Sequence, residues 1–318
     1  MPTPQPASDA PQDATSADQF PARPVTPRLA ATTTLLRQGA GGRVEVFMVR
    51  RHVQSDFAPD VFVFPGGSVN ADDRVAERTP GLCAPVAPPA DGAPDAGDGA
   101  TGDKASDATG GGGVDNAAGD PTALGAGLRV AALRELFEEA GVLLARRGEQ
   151  PLAVAGADIA RFAEQRDALN RRQTTLAAIA AQEGLTLATN DLVHWAHWIT
   201  PTALPKRFDT HFFLAPMPPA QVAAHDALET TEGVWVAPED ALAGYARGDF
   251  PLVFATIHQL RALTGLANAE DARARFVSTP PTIMPRVIRR NGEPLILLPD
   301  EPDVEGDEAM TDARGVRL

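Results

Sequence analysis

Arg134-Glu135-Leu136-Phe137-Glu138-Glu139-Ala140-Gly141-Val142 places three carboxylates within five residues and then stops at a glycine. Apart from Phe137, the run Ala131 to Ala140 holds only strong helix formers, and Gly141 is the residue type expected just past a helix C-terminus. A helix over 131–140 is the expectation. At helical spacing Glu135, Glu138 and Glu139 stand at i, i+3 and i+4 and share one face. Leu133, Leu136, Phe137 and Ala140 then form the stripe that docks on a core. Three like charges on one face repel one another, and Arg134 balances only part of that charge. A hard divalent cation with oxygen ligands, Mg²⁺ or Mn²⁺, removes the conflict. A merely solvated acidic face is the competing reading.

Upstream, Val61-Phe62-Val63-Phe64-Pro65-Gly66-Gly67 is a β-branched and aromatic run ending in turn residues, so it reads as a strand delivering a tight turn. Taken together, the two stretches resemble the signature of Nudix hydrolases. Gly67 is followed at the expected spacing by an acid, Asp73, where the family usually has Glu. The Arg-Glu half begins only at Arg134, so the box is split. Residues 79–123 consist almost entirely of Gly, Ala, Pro, Asp, Ser and Thr, a composition that cannot bury enough surface to order itself. Because loop-closure entropy grows only logarithmically with length, turn and helix can still meet across it.

Arg28–Arg37 and Arg43–Arg51 read as two early strands. Trp198–Pro201, Pro205–Phe213 and Glu232–Val236 read as later ones, with a helix starting at Pro238. This order is similar to the coenzyme A and acyl-coenzyme A diphosphatase branch of Nudix proteins. The resemblance implies an α/β/α sandwich with a mixed sheet, and added helices from 156–183 (Ile159, Phe162, Leu169, Leu176, Ile179), which could also serve as a lid or a dimer surface. Residues 252–276 read as one more helix. The implied organisation is a tail over 1–27, one domain over 28–299 interrupted by the 79–123 insertion, and an acidic tail over 300–318.

The resemblance also implies roles. Glu135, Glu138 and Glu139 ligate the metal with help from the backbone of Gly66 or Gly67, and Glu135 is a third ligand or the general base. Asp226, Glu229 and Glu232 are loop alternatives for the base. Arg134 orients a helix carboxylate, and Arg50, Arg51, Lys206 and Arg207 are candidate contacts to the substrate's extra 3′-phosphate. The implied reaction is hydrolysis of coenzyme A or an acyl-coenzyme A to a 4′-phosphopantetheine species and adenosine 3′,5′-bisphosphate. Two alternatives stay open: an ADP-ribose or NADH pyrophosphatase, and a nucleotide-binding module without turnover.

The formal charge of −14 is concentrated in the three low-complexity segments, which carry −2, −6 and −5 and leave the remainder near neutral. With no basic stripe, nucleic acid is not the expected partner; a small nucleotide is, with a homodimer left open. Cys83 is the single cysteine and excludes an intramolecular disulfide. The absence of a membrane-length apolar run, of a leader-like start and of a terminal Ser-Lys-Leu makes the cytoplasm the expected location. His194 and His197, three apart in a predicted strand, are expected on opposite faces and in structural roles.

Overall fold

The computed structural model describes residues 25–86 except Asp56, 126–226, 229–276, 279–304 and 307–309. Its centre is an eight-stranded mixed sheet. β1 (Arg28–Gln38) pairs in parallel with a later strand, while β2 (Val44–Arg51), β3 (Phe62–Val63) and β4 (Gly66–Ser68) add antiparallel neighbours. Two helices follow, α1 (Ala71–Arg78) and α2 (Leu128–Ala140). β5 (Ala145–Arg147), β6 (Gln150–Pro151) and β7 (Thr186–Leu187) form a small side sheet around α3 (Ala157–Asn170) and α4 (Leu176–Glu183). The main sheet is completed by β8 (Val193–Ile199), β9 (Phe208–Pro216) and β10 (Thr230–Val236). α5 (Pro238–Arg247), α6 (Phe254–Leu263) and α7 (Ala269–Arg275) cover its other face. β11 (Thr282–Ile283) joins its edge beside β8, and β12 (Arg286–Arg290), β13 (Glu293–Leu297) and β14 (Asp307–Ala309) form a separate ribbon.

The main sheet runs β10-β2-β1-β9-β8-β11. β1, with seven successive buried residues from Ala30 to Leu36, is the kind of two-sided apolar strand that only a covered sheet can hold. One core joins α2, α3 and α4 to the sheet through Leu133, Leu136, Phe137, Phe162, Leu176 and Phe213. The second joins α5, α6 and α7 through Trp195, Trp198, Phe212, Ile257 and Leu260. The α/β/α sandwich and mixed sheet expected from the sequence are both present. None of the helices among the described residues is long and apolar enough to cross a membrane.

Five expectations change. α2 starts three residues earlier than expected, at Leu128. The 252–276 stretch breaks into α6 and α7 at Gly265, which takes a left-handed conformation (φ 71°), and Asn268 then caps α7. Ile159 points to solvent at 60% exposure, while Phe162, Leu169, Leu176 and Ile179 are buried as expected. The start of the expected insertion is ordered: Leu82 and Ala84 are buried and Cys83 bridges to Leu187. Burial of this half-buried thiol, aided by Glu77, pushes its pKa up to about 11. The rest of the insertion through Ala123 lies outside the described residues, as does most of 1–27. In the expected acidic tail, β14 pairs with β12, so residues 307–309 belong to the ribbon. Tertiary pairing supplies what local composition does not show.

Candidate active site

The turn after β3 and the acidic end of α2 meet, although the chain between them is long. α1 explains how. Asn70 and Asp73 close a reciprocal capping box, Asn70 Oδ1 accepting from the Asp73 amide at 2.8 Å and Asp73 Oδ2 accepting from the Asn70 amide at 2.9 Å. One turn later Glu77 accepts from the backbone amides of Gly127 (2.5 Å) and Arg129 (3.2 Å), so its carboxylate satisfies orphan donors at the start of α2. The two helices are thereby joined directly through Glu77. Gly127 itself is left-handed (φ 82°), and a Cβ there would come within 2.9 Å of the Arg74 backbone. Sequence reasoning missed Glu77, whose partners lie about 50 residues away in the chain.

Arg134 is the hub. Its Nε and Nη2 grip both oxygens of Asp73 at 2.9 and 3.0 Å, and Nη2 also donates to the Ser68 carbonyl. Its Nη1 lies 2.8 Å from Glu135 and 2.6 Å from Glu138. Burial alone would lower the guanidinium pKa, but the Asp73 hydrogen bonds and the charges of Glu135, Asp73 and Glu138 hold it raised and charged. Asp73, only 1% exposed, thus both caps α1 and anchors Arg134. The expected partnership of Arg134 with a helix carboxylate is present, and the shorter Asp serves in place of Glu because α1 begins at Ala71 and delivers it to the right place.

On the opposite side, Glu139 Oε2 accepts from the Gly66 amide at 3.0 Å. Gly66 packs so closely on β1 that a Cβ would sit 2.7 Å from the Ala31 carbonyl oxygen, and one on Gly67 would sit 2.6 Å from the Glu135 carboxyl carbon. Only glycine lets this turn approach. Burial is the main cause that raises all three helix acids: Glu135 to about 7 against the pull of Arg134, Glu138 upward, and Glu139 well upward with the Glu135 charge adding to it. With all four ionised, Asp73, Glu135, Glu138 and Glu139 face Arg134 and the more distant Arg51, which leaves two negative charges even before Glu229 is added. That charge deficit is what a divalent cation fits, and Glu135, Glu138 and Glu139 are the residues that could hold it.

The remaining expected residues separate. Asp226 and Glu229 line the same cavity of about 890 Å³ as the box carboxylates. Asp226 is occupied as a turn former, accepting from the Glu229 and Thr230 amides and the Thr230 hydroxyl, while exposed Glu229 adds its charge to the box. Glu232 sits instead on β10, 3.8 Å from Arg50. Arg50 is also held by Asp60 at 2.8 Å and lies over Phe62, and buried Arg207 donates to the Thr200 and Val25 carbonyls. Both are therefore engaged in holding the fold, contrary to their expected role as phosphate contacts. Arg51 differs. Its Nε is buried without a hydrogen-bond partner among the described residues, and it lines both the polar cavity and an adjoining apolar cavity of about 270 Å³. That second cavity, walled by Phe57, Phe64, Trp198, Phe212 and Phe254, meets the first at Arg51, Gly66, Gly67 and Phe208, with Lys206 in its lining. Arg172, not foreseen, lines the larger cavity.

A family model described as the NUDT19 Nudix domain matches residues 25–263. The chain belongs to this Nudix family. It is 24% identical over 253 residues to putative nudix hydrolase 7 of Caenorhabditis elegans, covering 79% of this chain and 66% of that protein. To the acyl-coenzyme A diphosphatase NUDT19 of Homo sapiens it is 29% identical over 235 residues, covering 71% and 62%. To that of Gallus gallus it is 28% identical over 274 residues, covering 76% and 69%. The chain thus spans about two thirds of the length of these curated relatives. A crystal structure of a NUDIX hydrolase from Alicyclobacillus acidocaldarius superposes with a TM-score of 0.60 at 28% identity, over 79% of this chain and 96% of that one.

The carboxylate cluster of this Nudix site has a consequence for stability. An acid whose folded pKa lies above its unfolded value binds its proton more tightly in the native state, so unfolding free energy falls as pH rises between the two values. For Glu135 that window runs from 4.5 to about 7. Metal-free protein is expected to lose on the order of 1–3 kcal/mol between pH 5 and pH 8. Added Mg²⁺ should restore it at pH 8 and do little at pH 5, checked by melting curves with EDTA and with Mg²⁺.

Proposed function

We propose that this chain hydrolyses the diphosphate of coenzyme A or an acyl-coenzyme A, releasing an (acyl-)4′-phosphopantetheine and adenosine 3′,5′-bisphosphate. The observation that carries the reading is the placement of Arg51, a half-buried cation between a carboxylate-lined cavity and an aromatic one. A molecule with a charged diphosphate between a polar nucleotide and a long, mostly apolar arm fits that shape, and the named function of the human and chicken relatives agrees with it. The same reading places the protein in the cytoplasm with no nucleic-acid partner.

In this mechanism Glu138 and Glu139, with Glu135 beside them, would hold Mg²⁺ or Mn²⁺, which would neutralise phosphate charge and lower the pKa of a water. Arg134 fixes the Glu135 and Glu138 carboxylates, and the Gly66 amide fixes Glu139. Glu135, set beside Glu138 and Glu139 and held by Arg134, is either a third ligand or the base that accepts the proton of the attacking water. Arg51 binds the diphosphate, and the aromatic cavity takes the pantetheine arm and its acyl group.

The test is product analysis after incubation with coenzyme A, acetyl-coenzyme A, dephospho-coenzyme A, ADP-ribose and NADH in Mg²⁺ or Mn²⁺. Adenosine 3′,5′-bisphosphate is the expected product, formed by the wild type and reduced more than about 100-fold in Glu138→Gln, beyond the loss typical of a merely supporting partner. Arg51→Ala should raise KM for every diphosphate. Equal turnover of dephospho-coenzyme A, or preference for ADP-ribose or NADH, would overturn the substrate assignment. Tight nucleotide binding without products would overturn the reaction.

A further inference from the structure

A second cluster of ligand-type side chains sits on the sheet away from the box. A one-residue bulge in β8 shifts the register against β9, so His194 opposes Phe213 while His197 opposes His211. The bulge puts His194 and His197 on the same face, contrary to the expectation from regular strand alternation. Asp209 and His211, two apart on β9, share that face. The result is a row across three strands: His211 on β9, His197 on β8 and Thr282 on β11.

The atoms of this row converge. The His197 and His211 rings stack at 4.0 Å, and their Nε2 atoms both approach one oxygen, Asp209 Oδ1, at 2.5 and 3.6 Å. One ligand atom from each of His197, Asp209 and His211 lies within 4.8 Å of the others. Behind them, His197 Nδ1 is 2.8 Å from the Thr282 hydroxyl and His211 Nδ1 is 3.0 Å from His194 Nε2. When those outer nitrogens carry the ring protons and donate to Thr282 and His194, both Nε2 lone pairs face the carboxylate. In that tautomer three lone-pair atoms crowd within 4.8 Å, and a cation can take the place of the ring proton that otherwise bridges His197 Nε2 and Asp209 Oδ1, 2.5 Å apart. An imidazole whose far nitrogen donates to a fixed partner is also the usual second shell of a metal-ligating histidine. His211 is fully buried and the Asp209 side chain keeps 25% of its surface, so the carboxylate side is the route of entry.

We propose that His197 Nε2, His211 Nε2 and Asp209 form a site for a borderline transition-metal cation, Zn²⁺ by preference, clamping β8 to β9 and distinct from the oxygen-only site of the box. Two neutral imidazoles and one carboxylate are a nitrogen and oxygen set suited to zinc, and too nitrogen-rich for Mg²⁺. A fourth position on the exposed side of Asp209 is left for water.

The full-length protein, stripped with EDTA, is titrated with Zn²⁺ and separately with Co²⁺, reading metal content after dialysis, the visible Co²⁺ spectrum and the melting temperature. The expected result is about one retained Zn²⁺ per chain, an intense four-coordinate Co²⁺ band and a raised melting temperature. Asp209→Asn should weaken Co²⁺ binding at least 100-fold and Thr282→Val, on an exposed edge, about 10- to 100-fold. Glu138→Gln should leave the band unchanged. Circular dichroism establishes that each variant is folded. No retained zinc and no band in the wild type, a band insensitive to Asp209→Asn and Thr282→Val, or a band abolished by Glu138→Gln overturns the proposal.

Discussion

Glu139→Gln is expected to raise the stability of the metal-free protein while nearly abolishing turnover. Glu139 is only 5% exposed, and burial together with the Glu135 charge disfavours its ionised form. Its one direct hydrogen bond among the described residues is from the Gly66 amide, which the glutamine oxygen can accept equally well at the same length of side chain. The substitution therefore keeps the packing and the hydrogen bond and removes a buried like charge. At pH 8 a gain of about 1–2 kcal/mol is expected, or roughly 2–8 °C in melting temperature for a domain of this size. Hydrolysis should fall more than about 100-fold, because the lost charge is the one the cation needs. Calorimetry in EDTA beside a turnover assay in Mg²⁺ checks both halves. A destabilised but active variant would show that Glu139 is a structural acid and not part of the metal site.

Asp73→Ala should produce the opposite pattern, with stability as the dominant loss. Arg134 is gripped by both Asp73 oxygens, and one of them also closes the α1 capping box. Truncation leaves a buried guanidinium without its main partner, and breaking such a pair from one side costs about 3–5 kcal/mol. The capping loss adds about 1 kcal/mol. Unfolding should shift down by some 10 °C or more. Asp73→Asn keeps the shape and an acceptor for the Asn70 amide and should recover part of that loss. Well below the melting point, activity should fall only about 10- to 100-fold, through the looser grip of Arg134 on Glu135 and Glu138. Wild-type stability in Asp73→Ala would mean that Arg134 is held by the helix acids alone.

These two variants separate what was legible in the chain from what was not. The i, i+3, i+4 acids, the Arg before them and the Gly after them were readable because helix geometry is local: spacing alone puts Glu135, Glu138 and Glu139 on one face. Gly66 and Gly67 were readable as a turn, and the strand-like runs on either side gave the sheet. The charge deficit of the α2 face followed from counting. Glu77 was not legible, because its task of capping the start of α2 exists only once α1 and α2 abut, and nothing in its own neighbourhood signals that.

The same holds for the cations and for the histidines. Arg50, Arg51 and Arg207 are equivalent in sequence, yet Arg50 is held by Asp60 and Arg207 by backbone carbonyls, and only Arg51 lines both cavities. Whether a long flexible cation meets a protein partner or a ligand is a matter of three-dimensional neighbours. His194 and His197 were assigned to opposite faces by strand periodicity, and one bulge reversed it. By itself the sequence determined the family, the sandwich and the acidic helix, all carried by local periodicity and motif spacing. The tertiary structure alone decided how the split box is rejoined, which arginine faces the cavities and where the second histidine cluster forms, because each depends on contacts between residues far apart in the chain.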